Sequence, residues 1–231
     1  MDSKRSKWRW DDMIYLLGGG LGFKEDLQNQ FRSVLKNKNS ITFIPTSPQD
    51  KIKCEKYKKV NLSWFSDIGI NFDKVSMINQ EDDVISAQEK IIRSDVIFLM
   101  GGDPITQLKL ILNKRLENCL SEYEGIIIGI SAGALSICKK CIITKDEDYP
   151  ENIVLDGIDL TNGINVDVHY TNEHDENLYQ IIEEHEIDKI YAIPEDGGIR
   201  INNEGMKFIG KDKYYIIKRG LKEQVNIQGL K

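Results

Sequence analysis

Ser131 stands in the string Gly129-Ile130-Ser131-Ala132-Gly133, directly after the apolar run Gly125 to Ile130. Small residues on both sides of a serine at this spacing let a strand reverse sharply into a helix. The hydroxyl then projects above the sheet and the following amide points into the same space. A helix starting just after Ser131 adds partial positive charge where a tetrahedral oxyanion would form. Such a turn suits acyl transfer through a serine nucleophile. A G-x-S-x-G string also occurs in ordinary turns, and it is the preceding apolar strand that favours the functional reading.

A serine hydroxyl needs a neighbouring base to take its proton, and the chain has three histidines. His185 lies in Glu183-Glu184-His185-Glu186 on an expected helix, where a solvated position explains it. His174, among Glu173, Asp175 and Glu176, is likewise expected to be exposed. His169 follows the alternating segment Ile164-Asn165-Val166-Asp167-Val168 and precedes a helix, a strand terminus where active-site loops gather. It is the expected general base. The group that orients the imidazole is either Asp146, after Cys141 to Lys145, or Glu195, in Pro194-Glu195-Asp196-Gly197-Gly198, and spacing alone does not separate them.

Two glycine turns accompany these residues. Gly101-Gly102, before Asp103-Pro104, ends an apolar strand and lets a backbone amide approach a substrate, as a second oxyanion donor must. Gly18-Gly19-Gly20-Leu21-Gly22 suggests a phosphate cradle but does not match the dinucleotide spacing.

The elements that must position these residues follow from alternation of short Ile-, Val- and Phe-rich runs with longer amphipathic stretches. Strands are expected near 13–17, 41–45, 73–78, 95–100 and 126–130, with helices near 24–37, 50–66, 85–93 and 105–118. A helix near 175–186 and a strand near 189–193 follow. Strands around Ile199 to Ile201, Met206 to Ile209 and Tyr214 to Lys218 read as an antiparallel meander. The fold class is α/β: one domain over 13–231, a doubly wound, mostly parallel sheet with helices on both faces and a C-terminal antiparallel β meander, preceded by an N-terminal extension over 1–12.

Composition agrees with a chain of this class. With 231 residues, 40% of them hydrophobic, it can bury one sizeable core. Lys plus Arg number 31 against 37 for Asp plus Glu, a net charge of −6 without a basic block, so neither nucleic acid nor an anionic membrane is an expected partner. Trp10-Asp11-Asp12 interrupts any apolar leader after the basic residues up to Arg9. Cys54, Cys119, Cys138 and Cys141 form no disulfide framework, which suits the cytoplasm. The C-x-x-C of Cys138 and Cys141 lacks a second pair to complete a zinc site and is read as packing.

Taken together, Gly101-Gly102-Asp103-Pro104, Gly129-Ile130-Ser131-Ala132-Gly133-Ala134, Asp167-Val168-His169-Tyr170-Thr171-Asn172 and Ile193-Pro194-Glu195-Asp196-Gly197-Gly198-Ile199 resemble the peptidase E (aspartyl dipeptidase) family across residues 13 to 218. The resemblance implies a fold related to the class I glutamine amidotransferases. It also implies Ser131 as nucleophile, His169 as base, Glu195 as orienting acid, and the amides of Gly102 and Ala132 as oxyanion donors. Asp146 and Asp103 become candidate substrate contacts. The family's glycine turn usually continues with Asn and Thr where this chain has Asp103-Pro104. Its aspartyl-selecting arginine falls on Ile142, leaving Lys139, Lys140 and Lys145 as the local cations for an anionic side chain.

The function expected is that of a metal-independent, cofactor-free serine peptidase that hydrolyses short peptides in a dipeptidase-like manner through an acyl-enzyme on Ser131. Its partner is a small peptide substrate, and a homodimer is the assembly carried forward. The rivals are a hydrolase of another amide or ester, as in the related cyanophycinases, and a catalytically silent protein that keeps the amidotransferase-like fold.

Overall fold

The structure is a computed structural model and describes residues 12–226. Apart from Asp12, the N-terminal extension expected over 1–12, with its Trp8-Arg9-Trp10 stretch, lies outside the described residues. Five parallel strands form one side of a seven-stranded sheet. They are β1 (Met13–Leu17), β2 (Ser40–Ile44), β3 (Lys74–Met77), β4 (Val96–Leu99) and β5 (Ile126–Ile130), running in the order β1-β5-β4-β2-β3.

The two-residue period of a strand decides which side chains meet which helices. Ile14, Leu16, Ile97, Leu99 and Ile127 point to one face of the sheet. There they pack on α3 (Val84–Ile92), α4 (Pro104–Asn113), α5 (Glu117–Glu122) and α6 (Ala132–Ile137). Tyr15, Leu17, Phe43, Phe98 and Ile128 point to the other face, against α1 (Glu25–Val34) and α2 (Lys51–Ser66). Phe65 of α2 is fully buried there, with its ring centroid 5.8 Å from that of Phe98 and 6.1 Å from that of Phe31. Each such side chain contributes about 1.5–3 kcal/mol of burial.

The helix expected over 105–118 is two helices, α4 and α5. Arg115 adopts φ 52°, a left-handed conformation that an L-residue cannot continue as a helix. Asp103 caps α4 by accepting from the Ile105 amide at 2.9 Å, with Pro104 in the first turn.

Beyond α6 a hairpin forms from β6 (Lys140–Ile143) and β7 (Ile153–Asp156). The short strand β8 (Val166–Asp167) then lies parallel to β9 (Lys189–Ala192), with α7 (Asp175–Glu184) between them in sequence. The C-terminal strands are antiparallel as expected, but two sheets share them. The hairpin of β10 (Gly198–Asn202) and β11 (Gly205–Ile209) extends the large sheet beside β1. In contrast, β12 (Tyr215–Lys218) pairs with β9 and with β13 (Leu221–Gln224) in a four-stranded sheet. The apolar surfaces enforce this division: Ile209 packs under α1 and α2, whereas Ile217 packs on Leu178, Ile181 and Ile182 of α7. Tyr214 pins the crossing, its buried hydroxyl accepting from the Gly198 amide at 2.6 Å and donating to the Ile209 carbonyl at 2.5 Å. No helix among the described residues is long and apolar enough to cross a membrane.

Candidate active site

Strand β5 ends at Ile130, and Ser131 turns the chain with φ 51° and ψ −116°, a conformation that costs a non-glycine residue energy. The surroundings hold it there. Its amide donates to the Leu17 carbonyl at 2.9 Å, and its own carbonyl accepts from Ala134 at 2.9 Å and Leu135 at 3.1 Å. A Cβ on Gly133 would lie 2.2 Å from the Leu99 carbonyl oxygen, so glycine at this place in the motif lets α6 press against β4.

His169 lies two residues beyond β8 with φ 52°, and its amide donates to the Gly18 carbonyl at 3.1 Å. Its Nε2 lies 2.8 Å from Ser131 Oγ, and its Nδ1 meets Glu195 Oε2. A carboxylate only accepts, so Nδ1 carries the proton donated to Glu195 and Nε2 is left to accept from the serine hydroxyl. Glu195, three residues past β9, uses Oε1 to accept from the Gly20 amide at 3.0 Å. The His169 and Glu195 side chains are 44% and 57% exposed, so directed hydrogen bonds, not burial, fix their orientation.

The glycines after β1 have a role that their spacing did not disclose. A Cβ on Gly19 would sit 2.2 Å from His169 Cε1 and 2.9 Å from Glu195 Oε2, and one on Gly18 would sit 2.0 Å from the Pro194 carbonyl oxygen. The loop passes directly against the imidazole and the carboxylate because it has no side chains there. It binds a carboxylate of the protein itself, through Gly20.

Gly102 adopts φ 127°, and a Cβ there would strike Thr46 Oγ1, which donates to the Gly101 carbonyl at 2.8 Å. Among the described residues neither the Gly102 amide nor the Ala132 amide has an acceptor within the chain. Both flank Ser131, where free donors can meet a developing oxyanion. Two cavities open beside the hydroxyl. One, of about 410 Å³, runs from Gly101, Gly102 and His169 to α2; the other, of about 290 Å³, lies between Pro104, Ile142, Asp146, Tyr149 and His174.

Residues 13–209 match the model of peptidase family S51. The chain belongs to peptidase family S51. Among curated proteins it is 24% identical over 214 residues to the peptidase E of a Nostoc species, covering 87% of this chain and 84% of that one. Its fold is similar to that of a crystallised peptidase from an acI-B1 actinobacterium, with a TM-score of 0.64 and 17% identity over 93% of this chain and 94% of the other. A protein named as a candidate peptidase E from Listeria monocytogenes EGD-e gives a TM-score of 0.62 at 18% identity, covering 87% and 99% of the two chains. Membership of S51 makes this chain a serine peptidase.

In this S51 peptidase Ser131, His169 and Glu195 lie together, and Asp146 does not touch the imidazole. Asp146 sits at the edge of the smaller cavity, accepting from the amides of Asp148 at 2.8 Å and Tyr149 at 2.7 Å. Asp103 lines neither cavity. Burial pushes its carboxyl up, but hydrogen bonds from Thr106 and Tyr149 and the amides of the first helical turn outweigh this and hold it below the usual range. Its carboxylate is occupied in capping α4.

Ile142 lines the smaller cavity, where no Lys or Arg stands among the described residues. Lys140 is paired with Asp156 at 2.6 Å. His185 is exposed as expected. His174 is not: it is partly buried, its Nδ1 2.8 Å from the buried Asp167, a pairing across seven residues hidden in a segment read only as an alternating strand. Cys138 and Cys141 are buried free thiols, and no group of His, Cys, Asp and Glu among the described residues is arranged to hold a metal.

Proposed function

We propose that this S51 member hydrolyses short peptides in a dipeptidase-like manner through an acyl-enzyme on Ser131, in the cytoplasm. The observation that carries the reading is the continuous hydrogen-bonded series Ser131 Oγ, His169 Nε2 and Nδ1, Glu195 and the Gly20 amide.

Ser131 Oγ attacks the scissile carbonyl carbon as its proton passes to His169 Nε2, and the carbonyl oxygen takes the charge against the amides of Gly102 and Ala132. Glu195 holds the imidazole tautomer and offsets the imidazolium charge. As the C–N bond breaks, His169 gives its proton to the departing amine, leaving an ester on Ser131. Water, deprotonated by the same nitrogen, then attacks the ester carbon and the hydroxyl is restored. No metal enters any of these steps.

Aspartyl selectivity does not carry over with the mechanism. A smaller cavity with Asp146 at its edge and Ile142 in its wall offers no lysine or arginine among the described residues to an anionic side chain. A fluorophosphonate probe is expected to label Ser131 in the native protein and not in Ser131→Ala, and a dipeptide library to be hydrolysed only by the former. Failure of the probe on native protein, with a control serine peptidase labelled alongside, would favour the catalytically silent alternative.

A further inference from the structure

Helix α2 carries two stripes. Cys54, Asn61 and Phe65 are its buried residues, while Lys53, Tyr57, Val60 and Trp64, spaced i, i+4, i+7, i+11, line the larger cavity. Tyr57 and Val60 remain 44% and 38% exposed, so this second stripe is apolar surface turned toward the cavity and away from the core. Across the cavity stand Met100, Ile130 and the Ser131 hydroxyl.

Two polar groups interrupt the apolar wall. Asn61 is only 6% exposed, lines the cavity, and its carboxamide has no hydrogen-bond partner among the described residues. Its polar atoms are not among the buried unpartnered ones, so they open on the cavity, where an arriving group can bond to them without displacing a bond within the chain. Among the described residues Lys53 is the one lysine or arginine of the cavity wall, and its ammonium makes no ion pair with any of them. The only carboxylate in that wall among the described residues is Glu195, already held by His169 and Gly20. The smaller cavity beside Ser131 differs in charge, with Asp146 at its edge, Asp167 buried and paired with His174, and no lysine or arginine among the described residues.

Resting on the peptidase reading above, we infer that the larger cavity takes the residue on the leaving side of the scissile bond, a bulky apolar residue with a free α-carboxylate. The side chain packs on Tyr57, Val60 and Trp64, Asn61 hydrogen-bonds its polar backbone atoms, and Lys53 pairs with the terminal carboxylate. A dipeptide is a zwitterion whose ammonium lies on the acyl side and whose carboxylate lies on the leaving side. Lys53 in the larger cavity and Asp146 at the edge of the smaller one favour that orientation over its reverse. A volume of about 410 Å³ is of the size that small-molecule sites have.

Two measurements test this independently of each other. In the first, kcat/KM of the wild type for Ala-Phe is expected to exceed that for Ala-Ala and Phe-Ala by about 10–100-fold. Trp64→Ala and Tyr57→Ala should each erase most of the difference. In the second, calorimetric titration of Ser131→Ala protein should show Ala-Phe binding at least about tenfold more tightly than Ala-Phe amide. Adding Lys53→Gln should remove that preference, and adding Asn61→Ala should weaken both ligands. Lys53 is on the surface, and its backbone amide is capped by Asp50 whatever its side chain, so this variant keeps the helix.

A preference for Phe-Ala, or equal binding of acid and amide that Lys53→Gln leaves unchanged, would overturn the assignment. Lys53-dependent binding without turnover by the wild type would uphold the cavity and defeat the peptidase reading. Turnover without any preference at the leaving position would do the reverse.

Discussion

The Gly20 amide donates to Glu195 Oε1 at 3.0 Å across 175 residues of sequence, so the loop leaving β1 holds the carboxylate that in turn orients His169. Neighbouring bonds make the same loop the link between His169 and Ser131. Leu17 accepts the Ser131 amide and Gly18 accepts the His169 amide. The predictions below follow from this connected arrangement and from the pair behind it.

Replacing Ser131 by Ala is expected to lower kcat/KM by about 10⁴-fold or more while leaving the circular dichroism spectrum unchanged. The Ser131 hydroxyl bonds only to His169 among the described residues, so nothing structural rests on it. Activity within tenfold of wild type would remove Ser131 from the role of nucleophile.

Glu195→Gln keeps the shape of the side chain but presents an NH₂ or a neutral oxygen to Nδ1, which permits the wrong imidazole tautomer. A fall in kcat of about 10³–10⁴-fold with little change in melting temperature is expected. Asp146→Asn should leave the rate near wild type on neutral dipeptides, because Asp146 has no contact with the imidazole. The opposite ranking of the two variants would exchange their roles.

Gly19→Ala places a methyl group 2.2 Å from His169 Cε1. The imidazole must move by about an ångström, and displacement on that scale costs about 100-fold in rate. A crystal structure of the variant should show His169 Nε2 beyond hydrogen-bond reach of Ser131. Full activity would mean that the ring has another productive position.

The Asp167–His174 pair gives the fold a pH dependence. The hydrogen bond that His174 donates to Asp167 raises the His174 pKa above the ordinary histidine value, with burial opposing. Stabilisation by a raised histidine is complete below its unfolded-state pKa of about 6.5 and is lost as pH rises through the folded value. Burial also pushes Asp167 up, against the hydrogen bond from His174, and a raised carboxyl likewise loses stability as pH increases. His174→Gln should therefore lower the melting temperature more near about pH 5.5 than near about pH 9. A larger loss at the alkaline end would contradict the sign.

Removing the Tyr214 hydroxyl with Phe strands the buried Gly198 amide and the Ile209 carbonyl. A loss of about 1–3 kcal/mol in urea denaturation is expected. Because Gly198 lies three residues beyond Glu195, kcat should also fall modestly, whereas an unchanged denaturation midpoint would show that water replaces the hydroxyl.

Local chemistry determined a good deal of this protein. The alternation of Ile14 and Leu16 against Tyr15 and Leu17 is a property of adjacent residues, as are the helical periods of α1 and α2 and the small residues around Ser131, so the parallel strands and the serine turn are legible in the chain itself. For the orienting acid, spacing left Asp146 and Glu195 equal, and likeness to a family was needed to prefer one. Only the tertiary structure decided what lies between distant segments. It set the glycine loop of β1 against His169 and Glu195, and it paired His174 with a buried aspartate. It also divided the C-terminal strands between two sheets, and turned a second stripe of α2 toward Ser131. Each of these depends on which surfaces meet once the sheet has assembled, and the forces that bring them together act through space between residues that share no local pattern.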